Sequence, residues 1–198
     1  RESGERFEGF SISGDGYFAV INGQYAVTDQ FGSHTISKVY VYDRAADKVS
    51  LLTDSVTHAT INPVSDAQIN GGGSLITLVR NDNTGGQHVS VYNRDGVLLT
   101  DITSAHPGIP DTLDHFDNVS ISNDGRYISF WAFAQDSNFQ PTGIATLFVF
   151  DRQTNSALAV GTTTAGHDLW AGSLNRDGHF VVFQSDLNLD SNPADTGN

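Results

Sequence analysis

The stretch SISNDGRYISFWAF, residues 120–133, decides the fold. Two apolar-alternating runs flank Asn123-Asp124-Gly125, a pairing that supplies the positive φ of a tight turn, so the stretch reads as a β-hairpin. In the second run Tyr127, Ser129, Trp131 and Phe133 lie on one side, and Ile128, Phe130 and Ala132 on the other. Large apolar groups on both sides predict a strand covered on both faces.

The hairpin recurs as SISGDGYFAV (11–20), QINGGGSLITLV (68–79) and SLNRDGHFVVF (173–183). With Asp15, Gly72, Asp124 and Asp177 taken as equivalent, the spacings are 57, 52 and 53. A second phrase alternates with it: VYVYDR (39–44), VSVYNR (89–94) and LFVFDR (147–152). Two phrases sharing one period make a true internal repeat. In the third unit, strands are predicted at 117–122, 126–133, 146–151 and 156–160, with helix signals nearly absent. Four strands per repeat of this length predict an all-β chain, a β-propeller of four-stranded antiparallel blades. About three and a half blades are expected, over 7–58, 64–103, 116–162 and an incomplete 169–198.

The phrases SISNDGRYISF and LFVFDRQT, joined by a polar loop and followed by a short last strand, resemble the TolB-like, WD-related propeller repeats of exported bacterial proteins. The second unit departs from that pattern, with Gly72 where Asp is usual and Asn93 in the Tyr-Asp-Arg phrase. The resemblance implies architecture and an extracytoplasmic setting; function does not follow from fold. Because the fourth unit stops short of its third strand, the chain is expected to be a segment of a longer propeller, or to be completed by another chain. A compact four-bladed closure is the alternative, disfavoured because sheet edges must be covered.

Composition narrows the partners. The net charge of −13 argues against nucleic-acid phosphates and anionic lipid. The absence of cysteine excludes disulfides and thiolate chemistry. No apolar run reaches the length of a membrane span, so no membrane insertion is expected. The acids are 20 Asp against 3 Glu, a bias suited to turns and to hard cations such as calcium. The absence of Met suggests a processed or excised product, which fits a secreted, surface or periplasmic protein.

In a four-stranded meander the short A-to-B and C-to-D turns lie at one end of the blade and the long, irregular B-to-C and D-to-A loops at the other. Long variable loops on a repetitive scaffold are where binding resides. The repeated Asp15, Asp124 and Asp177 are read as turn-forming residues. Asp43 and Asp151 are read likewise, each with a local ion pair to the following arginine. The richest loop, SAHPGIPDTLDHFDN (104–118), carries His106, Asp111, Asp114, His115 and Asp117, enough imidazole and carboxylate for ligand or metal binding. His167, Asp168 and Trp170 precede the fourth hairpin where His115 and Asp117 precede the third; Trp170 offers a stacking surface. Asp186, Asn188 and Asp190 alternate like the opening of a calcium loop, without the glycine and glutamate of an EF-hand.

No nucleophile elbow is present, so no catalytic residue is assigned and an enzyme is the less favoured class. The leading expectation is a non-catalytic module that binds a protein or glycan through the long-loop face, within a larger secreted, envelope or adhesin-like protein. The rivals are a propeller-borne glycan lyase or hydrolase, the propeller of a peptidase, and a structural subunit of a surface assembly.

Overall fold

The computed structural model describes residues 6–30, 32–64, 67–82, 86–102, 106–110, 113–135, 141–165 and 169–186. The first sheet contains β1 (Arg6–Ile12), β2 (Phe18–Asp29), β3 (Gly32–Asp43) and β4 (Lys48–Leu51), in chain order. The second contains β5 (Gln68–Ile69), β6 (Leu75–Asn81), β7 (Gln87–Asn93) and β8 (Leu98–Ile102). The third contains β9 (Leu113–Ile121), β10 (Tyr127–Gln135), β11 (Pro141–Asp151) and β12 (Ser156–Thr162). A two-stranded sheet of β13 (Leu169–Leu174) and β14 (Val181–Ser185) follows. Among the described residues these are antiparallel meanders, three full blades and the inner half of a fourth, as the repeat predicts.

Each hairpin turn closes by the same bonds. Ser13, Asn70, Ser122 and Asn175 occupy one repeat position, and their side-chain oxygens accept the N–H of Phe18, Leu75, Tyr127 and Phe180 at 2.8 to 3.0 Å. In three blades the aspartate two residues on accepts a bond from that same side chain, at 2.6 Å each. These bonds account for Asp15, Asp124 and Asp177 as turn residues. In the second blade Gly72 replaces the aspartate, and Asn70 Nδ2 instead donates across to the carbonyl of Asn123 at 3.2 Å. The turn survives the departure: Gly73 has φ 69°, beside 71°, 75° and 73° for Gly16, Gly125 and Gly178.

These glycines serve packing as well as φ. A Cβ on Gly73 would lie 2.5 Å from the Phe18 ring, on Gly125 2.3 Å from Leu75, and on Gly178 2.3 Å from the Tyr127 ring. Each turn therefore seats on the first β-residue after the turn of the preceding blade. The arginine of the second phrase also reaches backwards. Arg94 stacks its guanidinium on Phe18 at 3.7 Å, and Arg152 donates to Thr100 Oγ1 at 3.0 Å and to the Gly125 carbonyl at 2.9 Å. This corrects the local pair expected between Asp151 and Arg152. Asp151 instead receives both arms of Arg126, at 2.9 and 2.7 Å, and that guanidinium holds its carboxyl below the usual carboxylate range.

The core lies between blades. Val20, Val39 and Val41 meet Ile69, Ile76 and Leu78 between the first and second. Val79, Val89 and Val91 meet Phe116, Phe130, Phe148 and Phe150 between the second and third. Trp131 and Leu147 meet Val181 and Phe183 between the third and fourth. Phe130 and Trp131, neighbours in sequence, are both buried, on opposite faces of β10. The end blades do not pack on each other, because Phe10 and Ile12 on the first and Phe180 and Val182 on the fourth are exposed. The compact four-bladed closure is therefore not adopted.

Candidate ligand-binding cleft

The start of β9 and the end of β10 form a cleft at the long-loop end of the third blade. It encloses about 300 Å³ and is lined by His115, Asp117, Phe133, Ala134 and Gln135. His115 pairs with Phe133 and Asp117 with Trp131 across the two strands. The register slips between Ser129 and Trp131 and again between Phe133 and Ala134. Such bulges re-aim side chains at the ends of strands. At the first, Asn118 takes φ 51° and its N–H donates to Asp117 Oδ1 at 2.7 Å. The His115 ring stands edge-on to Phe133 at 5.6 Å. β9 is anchored from behind, where the Phe116 N–H donates to Gln87 Oε1 of the second blade at 2.8 Å. An aromatic wall with an imidazole, a carboxylate and an amide at its rim suits a ligand with an apolar face and polar edges.

His106 is not part of this cleft. Its ring packs edge-on to Phe150 at 5.6 Å, while Gly108 (φ 88°) lies against Ala157 and the Pro107 carbonyl accepts the Ala157 N–H at 2.9 Å. Phe150 pairs with Ile128 at the turn end of β10, whereas His115 pairs with Phe133. Five strand positions, about 16 Å, separate the two sites. His106 and His115, predicted in one loop, thus sit at different levels of the blade and do not form an acid/base pair. Of Asp114 and Trp170 the structure describes strand placement, at the start of β9 and in β13. Asp111, His167, Asp168, Asn188 and Asp190 lie outside the described residues, and Asp186 is exposed just after β14. Among the described residues no three His, Asp or Glu side chains converge to hold a metal.

A polar network at the same end of the second blade was not singled out in the sequence. His88 sits between two carboxylates, Nδ1 3.0 Å from Asp101 Oδ2 and Nε2 3.1 Å from Asp82 Oδ2. Arg80 donates to Asp101 Oδ2 at 3.0 Å and to Ser90 Oγ at 2.9 Å, and Ser90 donates to Asp101 Oδ1 at 2.9 Å. Burial pushes the Tyr92 hydroxyl above the ordinary tyrosine range, against the opposing influence of the Arg80 guanidinium. The available signal was alternation: Arg80 faces His88, and Ser90 faces Asp101, across neighbouring strands. The network joins β6, β7 and β8, and its groups are mutually engaged. On the opposite end, where the turns converge, an opening of about 370 Å³ is bordered by Gly14, Gly71, Asn123 and Arg176, which share one repeat position.

No family model and no curated protein sequence matches the chain. Solved structures do resemble it. TolB from Acinetobacter baumannii superposes with a TM-score of 0.57 at 12% identity, over 90% of this chain and 37% of that one. The β-propeller domain of the Trilobed protease from Pyrococcus furiosus gives 0.52 at 9% identity, over 85% of this chain and 46% of that one. The Pyrococcus horikoshii acylaminoacyl peptidase gives 0.54 at 8% identity, over 84% of this chain and 26% of that one. The chain thus spans less than half the length of each. What it shares with them is the fold, a TolB-like β-propeller, present here as three four-stranded blades and two strands of a fourth.

Proposed function

We propose that the chain is a non-catalytic, extracytoplasmic recognition module that binds a protein or glycan through its long-loop face. The observation that carries this reading is the cleft of His115, Asp117, Phe133, Ala134 and Gln135, an apolar-walled concavity with polar rim groups on that face. Its walls are strand residues, with Phe133 paired to Ala145 on one side and to His115 on the other, a preorganised setting that lowers the entropic cost of binding. The glycan lyase or hydrolase alternative rests on His106 and His115 acting together, which their separation does not favour. Calcium held by Asp186, Asn188 and Asp190 belongs to the same proposal.

The test is a glycan and peptide array probed with the chain, with and without millimolar calcium. Any ligand found should lose at least about fivefold in affinity on His115→Ala or Gln135→Ala, the loss expected of a residue worth more than about 1 kcal/mol at an interface. Both positions are at the cleft rim, so the fold, followed by circular dichroism, should persist. Ligands whose binding ignores both substitutions would move the site elsewhere.

A further inference from the structure

Charge divides the two ends of the third and fourth blades. From residue 95 onward the only lysines and arginines are Arg126, Arg152 and Arg176, and each stands in or beside a short turn. The first two are engaged there: Arg126 gives both arms to Asp151, and Arg152 reaches Thr100 and the Gly125 carbonyl. The strand ends at the opposite, long-loop end carry carboxylates and no lysine or arginine. Asp114 and Asp117 open β9, Asp136 directly follows β10, Asp168 directly precedes β13 and Asp186 directly follows β14.

The cleft of His115, Asp117, Phe133, Ala134 and Gln135 opens at this acidic end. Asp117 supplies its carboxylate, and Oδ1 of that group already accepts the Asn118 N–H at 2.7 Å. Among the described residues no lysine, arginine or histidine forms an ion pair with Asp117. A carboxylate without a counter-charge beside an aromatic wall suits a cation that is flat and weakly hydrated, the character of guanidinium rather than of ammonium. The chain itself holds arginine with these two kinds of partner: Arg94 lies over the Phe18 ring at 3.7 Å, and Arg126 reaches Asp151 Oδ1 and Oδ2 at 2.9 and 2.7 Å. In the cleft a phenylalanine ring and a carboxylate line one concavity. Calcium would need about six to eight oxygen ligands, and among the described residues no three His, Asp or Glu side chains converge.

Resting on the reading of this cleft as the binding site, we infer that it takes an arginine side chain of a basic peptide. The guanidinium lies over the Phe133 ring and donates to Asp117 Oδ2, with the Gln135 amide oxygen as a second acceptor at the rim. The aliphatic stem of the arginine packs on Ala134. The net charge of −13 steers such a peptide toward the chain and repels anionic glycans, and its pull weakens as salt rises.

Four probes test this by amide NMR of the nitrogen-labelled chain: the acetylated, amidated peptide Gly-Gly-Arg-Gly-Gly, the same peptide with citrulline for arginine, chitobiose, and calcium chloride alone. The arginine peptide should shift the His115, Asp117 and Gln135 signals saturably. It should bind at least about fivefold more tightly than the citrulline peptide, which has the same shape without the charge. Asp117→Asn keeps an oxygen for the Asn118 N–H, so the bulge and the circular dichroism of the fold should persist. That variant should lose at least about fivefold in affinity for the arginine peptide and bind the two peptides alike. Equal binding of both peptides to the unmodified chain overturns the inference, as do shifts that never saturate, spread over the acidic surface and survive Asp117→Asn. Cleft signals that move with chitobiose or calcium but not with the arginine peptide also overturn it, while leaving the cleft as the binding site. A cleft silent to all four probes removes the inference, and saturable shifts confined to another face remove the cleft reading with it.

Discussion

Replacing Gly73 with alanine separates the two demands made on the turn glycine. Gly73 and Gly16 have nearly the same φ, 69° and 71°, so alanine at either meets the same left-handed strain, about 1–2 kcal/mol. Around Gly16 there is open space, whereas the new methyl at position 73 would lie 2.5 Å from Phe18 Cδ2 and 3.2 Å from Phe18 Cγ. The ring cannot simply retreat, because the Arg94 guanidinium lies 3.7 Å from its centroid. Overpacking of this kind adds about 1–3 kcal/mol. Gly73→Ala should therefore cost about 2–5 kcal/mol against about 1–2 for Gly16→Ala. At roughly 2–4 °C per kcal/mol, the pair should differ in melting temperature by about 2–12 °C. The assay is urea and thermal unfolding of both variants. Equal losses within about 0.5 kcal/mol would refute the claim that the turns seat blade on blade, and would leave only their φ as a reason for glycine.

Phe130→Ala removes a fully buried ring that stacks on Phe148 at 5.7 Å, and should cost about 3–5 kcal/mol by denaturant unfolding. Stability should also fall in acid. The carboxyls of Asp15, Asp54, Asp151 and Asp177 are each held below the value of 3.8 by hydrogen bonds, first from the Ser13 hydroxyl, the Thr57 N–H, the Arg126 guanidinium and the His179 N–H respectively. A carboxyl depressed on folding stabilises fully above its unfolded value and loses that contribution as pH falls through its folded value. The midpoint of urea unfolding should therefore hold from neutral pH to about 5 and decline below about 4, with a shallower decline in Asp151→Asn. A midpoint rising on acidification would reverse the assignment.

Much of this was legible in the strings of residues. The hairpin 120–133 announces its strands, its turn and its two covered faces, because alternation and Asp-Gly turns are local properties. The doubled phrase announces the blade, because each blade repeats the same local solution. Sites were less legible. His106 and His115 are nine positions apart in the sequence but about 16 Å apart along the blade, because Gly108 and Pro107 bind the loop to Ala157. Asp151 and Arg152 are adjacent, yet the arginine reaches back to Thr100 and the aspartate to Arg126. The Arg80, His88 and Asp101 network needs three strands in register before it exists.

The sequence by itself determined the blade's turn chemistry and the order in which its elements pair, set by short-range periodicity and backbone sterics; the strands run further than the alternation marks, β9 starting at Leu113 and β11 at Pro141 where 117 and 146 were expected. The tertiary structure alone decided which side chains meet between blades and where a cleft opens. Those depend on the register and spacing of one sheet against the next, across chain separations of fifty residues or more that no local pattern encodes.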